Sequence, residues 1–152
     1  MHLKFKLSAI CLATLMTTSL ATHAQFDKVD DAIEYRQASL SVLGIHFKRI
    51  GAVVKGDKAY DKAALENDAA IVDMLSKLPW TAFPAGSTSA NSKAKPEIWK
   101  DAGKFKSAAE KMQAEVAKLS VAAKSGDLNA IKTAFGSTAK TCKACHEDFK
   151  SK

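Results

Sequence analysis

Near the end of the chain, Cys142, Lys143, Ala144, Cys145 and His146 form a C-x-x-C-H run. This is the attachment pattern of a c-type haem. Two thiols add across the two vinyl groups of a haem, and the adjacent imidazole takes an axial position on the iron. The spacing has a physical basis. In a helix, positions i, i+3 and i+4 share one face, so all three side chains can meet one porphyrin. Two other readings of paired cysteines fit less well: a thioredoxin-like redox pair expects a strand–helix context, and half of a zinc site needs two further ligands. The expected cofactor is one covalently attached haem c, with His146 as the metal ligand.

The start of the chain reads as a secretory signal peptide spanning residues 1–24. Lys4 and Lys6 make a positive n-region, Leu7 to Leu15 an apolar stretch too short to span a bilayer, and Thr22-His23-Ala24 a small-x-small exit before Gln25. Ser19-Leu20-Ala21 is a second possible exit. Cys11 lies inside the apolar stretch behind Ile10, which argues against a lipid anchor. Cys11, His2 and His23 are expected to leave with the leader. Residues 25–152 then form one domain with one core.

Without Lys4 and Lys6 the formal charge falls from +7 to +5. In an exported protein this makes nucleic acid an unsuitable partner and points to solubility or an acidic redox partner protein. Two cysteines remain, three apart, in an oxidising compartment where they would otherwise form a disulfide. No later apolar run is long enough to insert in a membrane, so the expected location is the periplasm.

Three breaks divide residues 25–152 into four helical stretches. The first runs from about Asp27 to Lys55, with an apolar seam of Phe26, Val29, Ile33, Leu40, Leu43, Phe47, Ile50 and Val54 interrupted by Arg36. The second starts at Asp61 as N-cap and ends before Pro79, on Leu65, Ala69, Val72, Leu75 and Leu78. A long loop, Pro79 to Lys95, is rich in Pro, Gly, Ser and Thr. Pro96 opens a third helix to Gly126, on Ile98, Ala102, Phe105, Ala109, Met112, Val116, Leu119 and Ala123. Asp127 caps the fourth, on Leu128, Ile131, Phe135, Thr138, Cys142, Cys145 and Phe149. Nothing reads as a strand. The pattern predicts an all-α fold, an antiparallel four-helix bundle with the haem inside it near the C-terminus.

With that architecture the chain resembles cytochrome c′, the class II c-type cytochromes. The resemblance covers residues 25–152. It includes Tyr35-Arg36-Gln37, Leu78-Pro79-Trp80 with Phe83, and Lys95-Pro96-Glu97-Ile98-Trp99, besides the attachment motif. It implies a high-spin, five-coordinate iron, binding of nitric oxide and variably carbon monoxide, and a homodimer packed through the first two helices.

A second axial ligand would be expected from the first helix, whose seam carries no Met, Cys or His. His46, six residues beyond Leu40, is rotated about 120° from it and should sit on the flank or at a subunit contact. Met74 and Met112 are expected as core fillers. By the family alignment Leu40 falls on the distal face, where it would keep water off the iron and crowd a diatomic ligand; it is equally an ordinary seam leucine. Nitric oxide weakens the bond trans to itself, so the resemblance implies loss of His146 and a proximal adduct.

Arg36 and Gln37 match family positions that meet a haem propionate, and a charged seam residue needs such a partner. The alternative is that Arg36 snorkels to the bundle edge. Trp80 and Phe83 match aromatics packed near the haem edge, or are plain core. Thr88, Ser89, Asn91 and Ser92 could reach the second propionate. Lys150 stands where several members carry Arg, and would either contact a proximal ligand or complement the helix C-terminus. The leading expectation is a gas-binding haem protein. An electron-transfer cytochrome is the alternative, and a peroxidase ranks last because an aliphatic distal face offers no general base.

Overall fold

The computed structural model describes residues 25–152; the expected leader, with its expected cleavage sites, Cys11, His2 and His23, lies outside the described residues. Helix α1 spans Val29–Lys55, α2 Lys62–Leu75, α3 Glu97–Lys100, α4 Ala102–Ser125 and α5 Leu128–Phe149, with a 3-10 turn at Pro79–Ala82. The four long helices pack in a ring: α1 on α2, α2 on α4, α4 on α5, and α5 back on α1. This is the expected antiparallel four-helix bundle. No strand occurs among the described residues, and none of their helices is long and apolar enough to cross a membrane.

The helix ends follow local chemistry. Asp61 caps α2 by accepting from the Ala64 N–H at 3.0 Å, and Asp127 caps α5 by accepting from the Asn129 N–H at 2.8 Å. Gly56 ends α1 at φ 85°, where its N–H and that of Asp57 reach back to Val53 and Ala52. α2 stops three residues short of the expected end. The Lys77 and Leu78 N–H groups bond to Met74 and Leu75, tightening the chain into the 3-10 turn that Pro79 opens.

The expected third helix is broken at Asp101. Its backbone leaves the helical region at φ −129° and ψ 63°, and its carboxylate accepts from the Lys104 N–H at 3.0 Å. Asp101 thus ends α3 and caps α4, because an aspartate near a helix start does better as a cap than inside the helix. Ala102, expected on the buried seam, is exposed as a result.

The core joins Leu43, Ile50, Leu65, Val72, Met112, Val116, Leu119 and Ile131. Each fully buried aliphatic side chain there contributes about 1.5–3 kcal/mol. Met112 fills the core as expected, but Met74 does not: it is 57% exposed on α2. It lies off the stripe set by Leu65, Ala69 and Val72. The remaining seam departures are Val29 and Leu78, near element ends, and Leu40.

Candidate functional site

The two halves of the bundle are filled differently. At the Gly56 and Gly126 end, seam side chains are buried. Along α5 beyond Ile131, the only buried residues are Thr138 and Phe149, and Cys142 and Cys145 are half-buried. On α1, Leu40 is 37% exposed although the seam on either side of it is buried at Arg36 and Leu43. Apolar seam positions are thus uncovered where a flat apolar group, and not further side chains, would complete the core.

The closeness of α1 and α5 sets which residues face each other there. Gly51 lies so near Phe135 that a Cβ on it would stand 2.9 Å from the ring's Cζ. Phe135 also stacks on Phe47, with ring centroids 4.4 Å apart. Leu40 precedes Gly51 by as many residues as His146 follows Phe135, a rise of about 16 Å in each antiparallel helix. Leu40 and His146 therefore lie at the same level of the bundle.

Cys142 and Cys145 are free thiols one helical turn apart in α5. Burial holds both pKa values above the ordinary thiol value; for Cys145 the neighbouring Cys142 and Asp148 push the same way. Cys145 opens on a groove of about 180 Å³ between α4 and α5, lined by Ser107, Ala108, Thr141 and Ala144. His146 is exposed. Burial of part of its ring, and then the charge of Lys150, lower its pKa, a shift toward the neutral form that binds metal. Unpaired thiols, an imidazole on the next residue and uncovered apolar surface fit a covalently attached haem.

Arg36 is buried at 2% exposure, and its guanidinium works as a fork into the crossover loop. Nη1 donates to the Ala82 carbonyl at 2.9 Å and to Ser87 Oγ at 2.7 Å. Nη2 donates to the Ser87 carbonyl at 2.6 Å and to Ser92 Oγ at 2.9 Å. Its carbon lies 4.6 Å from the centroid of the Phe83 ring. Arg36 therefore does not snorkel. Gln37 Nε2 donates to the Asn91 carbonyl at 2.9 Å. Ser87, fully buried, is a partner that no local pattern in the sequence singled out; the signal was a charged residue in an apolar seam that had to find acceptors somewhere.

Trp80 and Phe83 belong to an aromatic cluster with Phe105 and Phe149, centroids 4.9–6.3 Å apart. Trp80 Nε1 donates to the Ser76 carbonyl at 2.6 Å. His46 sits on the flank of α1 as expected, its Nδ1 2.6 Å from Asp68 Oδ1 on α2, with Arg49 3.6 Å from the same oxygen. Lys150 does not continue the helical face beyond His146. α5 ends at Phe149, and Lys150 is extended at φ −123° and ψ 130°, its N–H on the His146 carbonyl. It forms an antiparallel bridge with Ala94 instead.

A four-helix bundle whose last helix carries C-x-x-C-H defines a c-type cytochrome of the bundle class. The family model for cytochrome c′ matches residues 31–150. Cytochrome c′ of Rubrivivax gelatinosus is 45% identical over 129 residues, 84% of this chain and 100% of that one. Its crystal structure at pH 8.0 superposes with a TM-score of 0.81 at 44% identity, covering 84% of this chain and 100% of that chain. The nitric oxide complex of a leucine-to-alanine mutant of cytochrome c′ from Alcaligenes xylosoxidans gives 0.79 at 41% identity, covering 84% and 99%. The chain belongs to the cytochrome c′ family. That family carries covalently attached haem c, and this chain has its cysteines at 142 and 145.

Proposed function

We propose that the protein is a periplasmic haem protein whose five-coordinate iron binds nitric oxide, and carbon monoxide more weakly, as a scavenger, carrier or sensor. The haem supplies the iron on which the gas binds. Cys142 and Cys145 would hold it by thioether bonds, each thiol adding its S–H across one vinyl group, and His146 would bind the iron. Leu40 would cover the other side of the haem. Arg36 and Gln37 would share their donors between a propionate and the loop acceptors, and Trp80 and Phe83 would pack at the haem edge. Lys150 would act on the His146 side through its charge.

The observation that carries this reading is the common level of Leu40 and His146, reached by register from the Gly51–Phe135 contact. On this reading a leucine would occupy the level at which a six-coordinate cytochrome needs a ligand. The histidine of α1, His46, is engaged with Asp68 on the flank. A relative known as a nitric oxide complex supports the gas. An aliphatic distal residue gives no proton acceptor for peroxide chemistry, so the protein is assigned no enzymatic activity. Val42 and Ile45 on α1 and Met74 on α2 are exposed apolar side chains on the helix pair that would form a homodimer. Export rests on the leader read in the sequence.

Optical spectra of the ferric and ferrous protein, with and without nitric oxide, test the reading. High-spin five-coordinate spectra and a nitric oxide adduct that has lost the histidine are expected. A low-spin six-coordinate spectrum without added ligand would overturn it in favour of electron transfer.

A further inference from the structure

The crossover loop is bonded to both helices that flank the haem residues. On the α1 side it receives the four hydrogen bonds of Arg36 and the one from Gln37. On the α5 side it closes the end of the helix that carries His146. The Lys95 N–H donates to the Phe149 carbonyl at 3.0 Å, and the Ser151 N–H donates to the Lys93 carbonyl at 2.8 Å. Lys95 Nζ donates to the Glu147 carbonyl at 2.7 Å. The Phe149 and Glu147 carbonyls are among those that the end of a helix leaves without partners.

One side chain joins the two sets. Ser92 Oγ accepts from Arg36 Nη2 at 2.9 Å and from the Ala94 N–H at 3.2 Å. Ala94 bridges to Lys150, whose own N–H donates to the His146 carbonyl at 3.1 Å. Hydrogen bonds joined by short steps of backbone therefore lead from Arg36 on α1, through Ser92 and residues 93–95, to the end of α5 and the backbone of His146.

We propose that Arg36, acting through Ser92 and residues 93–95, is a positioning residue for His146. The last turn of a helix frays unless its carbonyls are held. Here the hold is exerted by a stretch of loop that would itself be free to move, since residues 84–94 carry no large apolar side chain to anchor them. Arg36 fixes the loop, the loop caps α5, and the cap restrains the backbone from which the imidazole projects. The buried guanidinium thus governs how readily His146 can leave its position, whether or not it also meets a propionate. The proposal rests on His146 being the axial ligand and is independent of which gas binds.

The test uses the haem-loaded protein with Ser92→Ala and with Arg36→Lys, which keeps the charge but not the fork. Two readouts are taken: amide hydrogen exchange at Lys95 and Ser151 against Leu119 in the core, and the iron–histidine stretching band of the ferrous protein. Exchange at Lys95 and Ser151 should rise about tenfold, the effect of losing one charge-assisted hydrogen bond, with Leu119 unchanged. The stretching band should shift, and Ser92→Thr, which keeps the hydroxyl, should restore both. Should Arg36→Lys fail to fold, Ser92→Ala and its rescue decide alone. Unchanged exchange at both amides, or an equal rise at Leu119, would overturn the proposal, as would faster exchange with an unmoved band. A missing band in the unsubstituted protein would instead fail the axial assignment of His146, leaving the exchange result to judge the loop.

Discussion

The ring of Phe135 fills the space that a side chain at Gly51 would need, with Cζ 2.9 Å from the position of a Cβ there. This contact fixes the spacing of α1 and α5 and, through their antiparallel register, sets Leu40 at the level of His146. Glycine at 51 is needed for close approach and not for its backbone, which is helical.

Gly51→Ala should therefore destabilise the protein even though alanine is the better helix former. Overpacking of this kind costs about 1–3 kcal/mol, which outweighs the gain of up to about 1 kcal/mol in helix propensity. Phe135→Leu should rescue much of the loss in the double variant, since the two residues share one contact. Urea midpoints of the four proteins check this. Additive effects would mean that the ring is free to move aside.

Covalent attachment is the second expectation. Cys142→Ala and Cys145→Ala should each leave the haem held by one thioether, and Cys142→Ala/Cys145→Ala by none. Since Leu40, Cys142 and Cys145 are poorly covered by side chains, the doubly substituted chain should also fold less well. Mass spectrometry of the denatured protein reads the attachment, and circular dichroism the fold. A native-like protein with no mass increment for haem in the unsubstituted chain would refute the assignment.

Much of this was legible in the sequence, and what was hidden has physical causes. The alternating three- and four-residue spacing of Ile33, Leu43, Ile50, Leu65, Val72, Val116, Leu119 and Ile131 reads directly as buried helix faces, because burial imposes that period. Asp61, Asp127, Gly56 and Gly126 marked helix ends by local chemistry. Asp101 did not, since an aspartate within an amphipathic run reads as a surface residue until its backbone is seen. Met74 looked like core by type, but its angular position exposes it. The partners of Arg36 could not be read at all. Ser87 and Ser92 are more than fifty residues away, and only the path of the loop brings them to the guanidinium.

The ammonium of Lys150 acts on His146, and its backbone is tied to Ala94. If the side chain also supports a gas bound on the proximal side, Lys150→Ala should speed nitric oxide release from the adduct that has lost His146. Carbon monoxide binding should hardly change, as that ligand stays on the distal side. The bridge to Ala94 uses backbone atoms and should survive the substitution. Stopped-flow release rates decide the matter. Unaltered nitric oxide release would confine Lys150 to ending α5.

Leu40 carries the steric part of the proposed mechanism. Its isobutyl group stands at the level of His146, and on the proposed reading a gas approaching the opposite iron face would have to displace it. Leu40→Ala removes that obstacle. Leu40 is 37% exposed, so truncation should cost about 1 kcal/mol, less than the 2–5 kcal/mol of a buried leucine. The variant should therefore stay folded and haem-loaded, and its ligand binding can be compared directly with that of the unsubstituted protein. Carbon monoxide affinity should rise, because no side chain has to move aside. Nitric oxide should remain on the distal face with His146 still bound, since relief of crowding there removes the push toward the proximal side. A carbon monoxide titration and the equilibrium spectrum of the nitric oxide adduct read the two effects separately. If both match the unsubstituted protein, Leu40 is not the distal gate, and the register argument from Gly51 and Phe135 places it at the right height but on the wrong face.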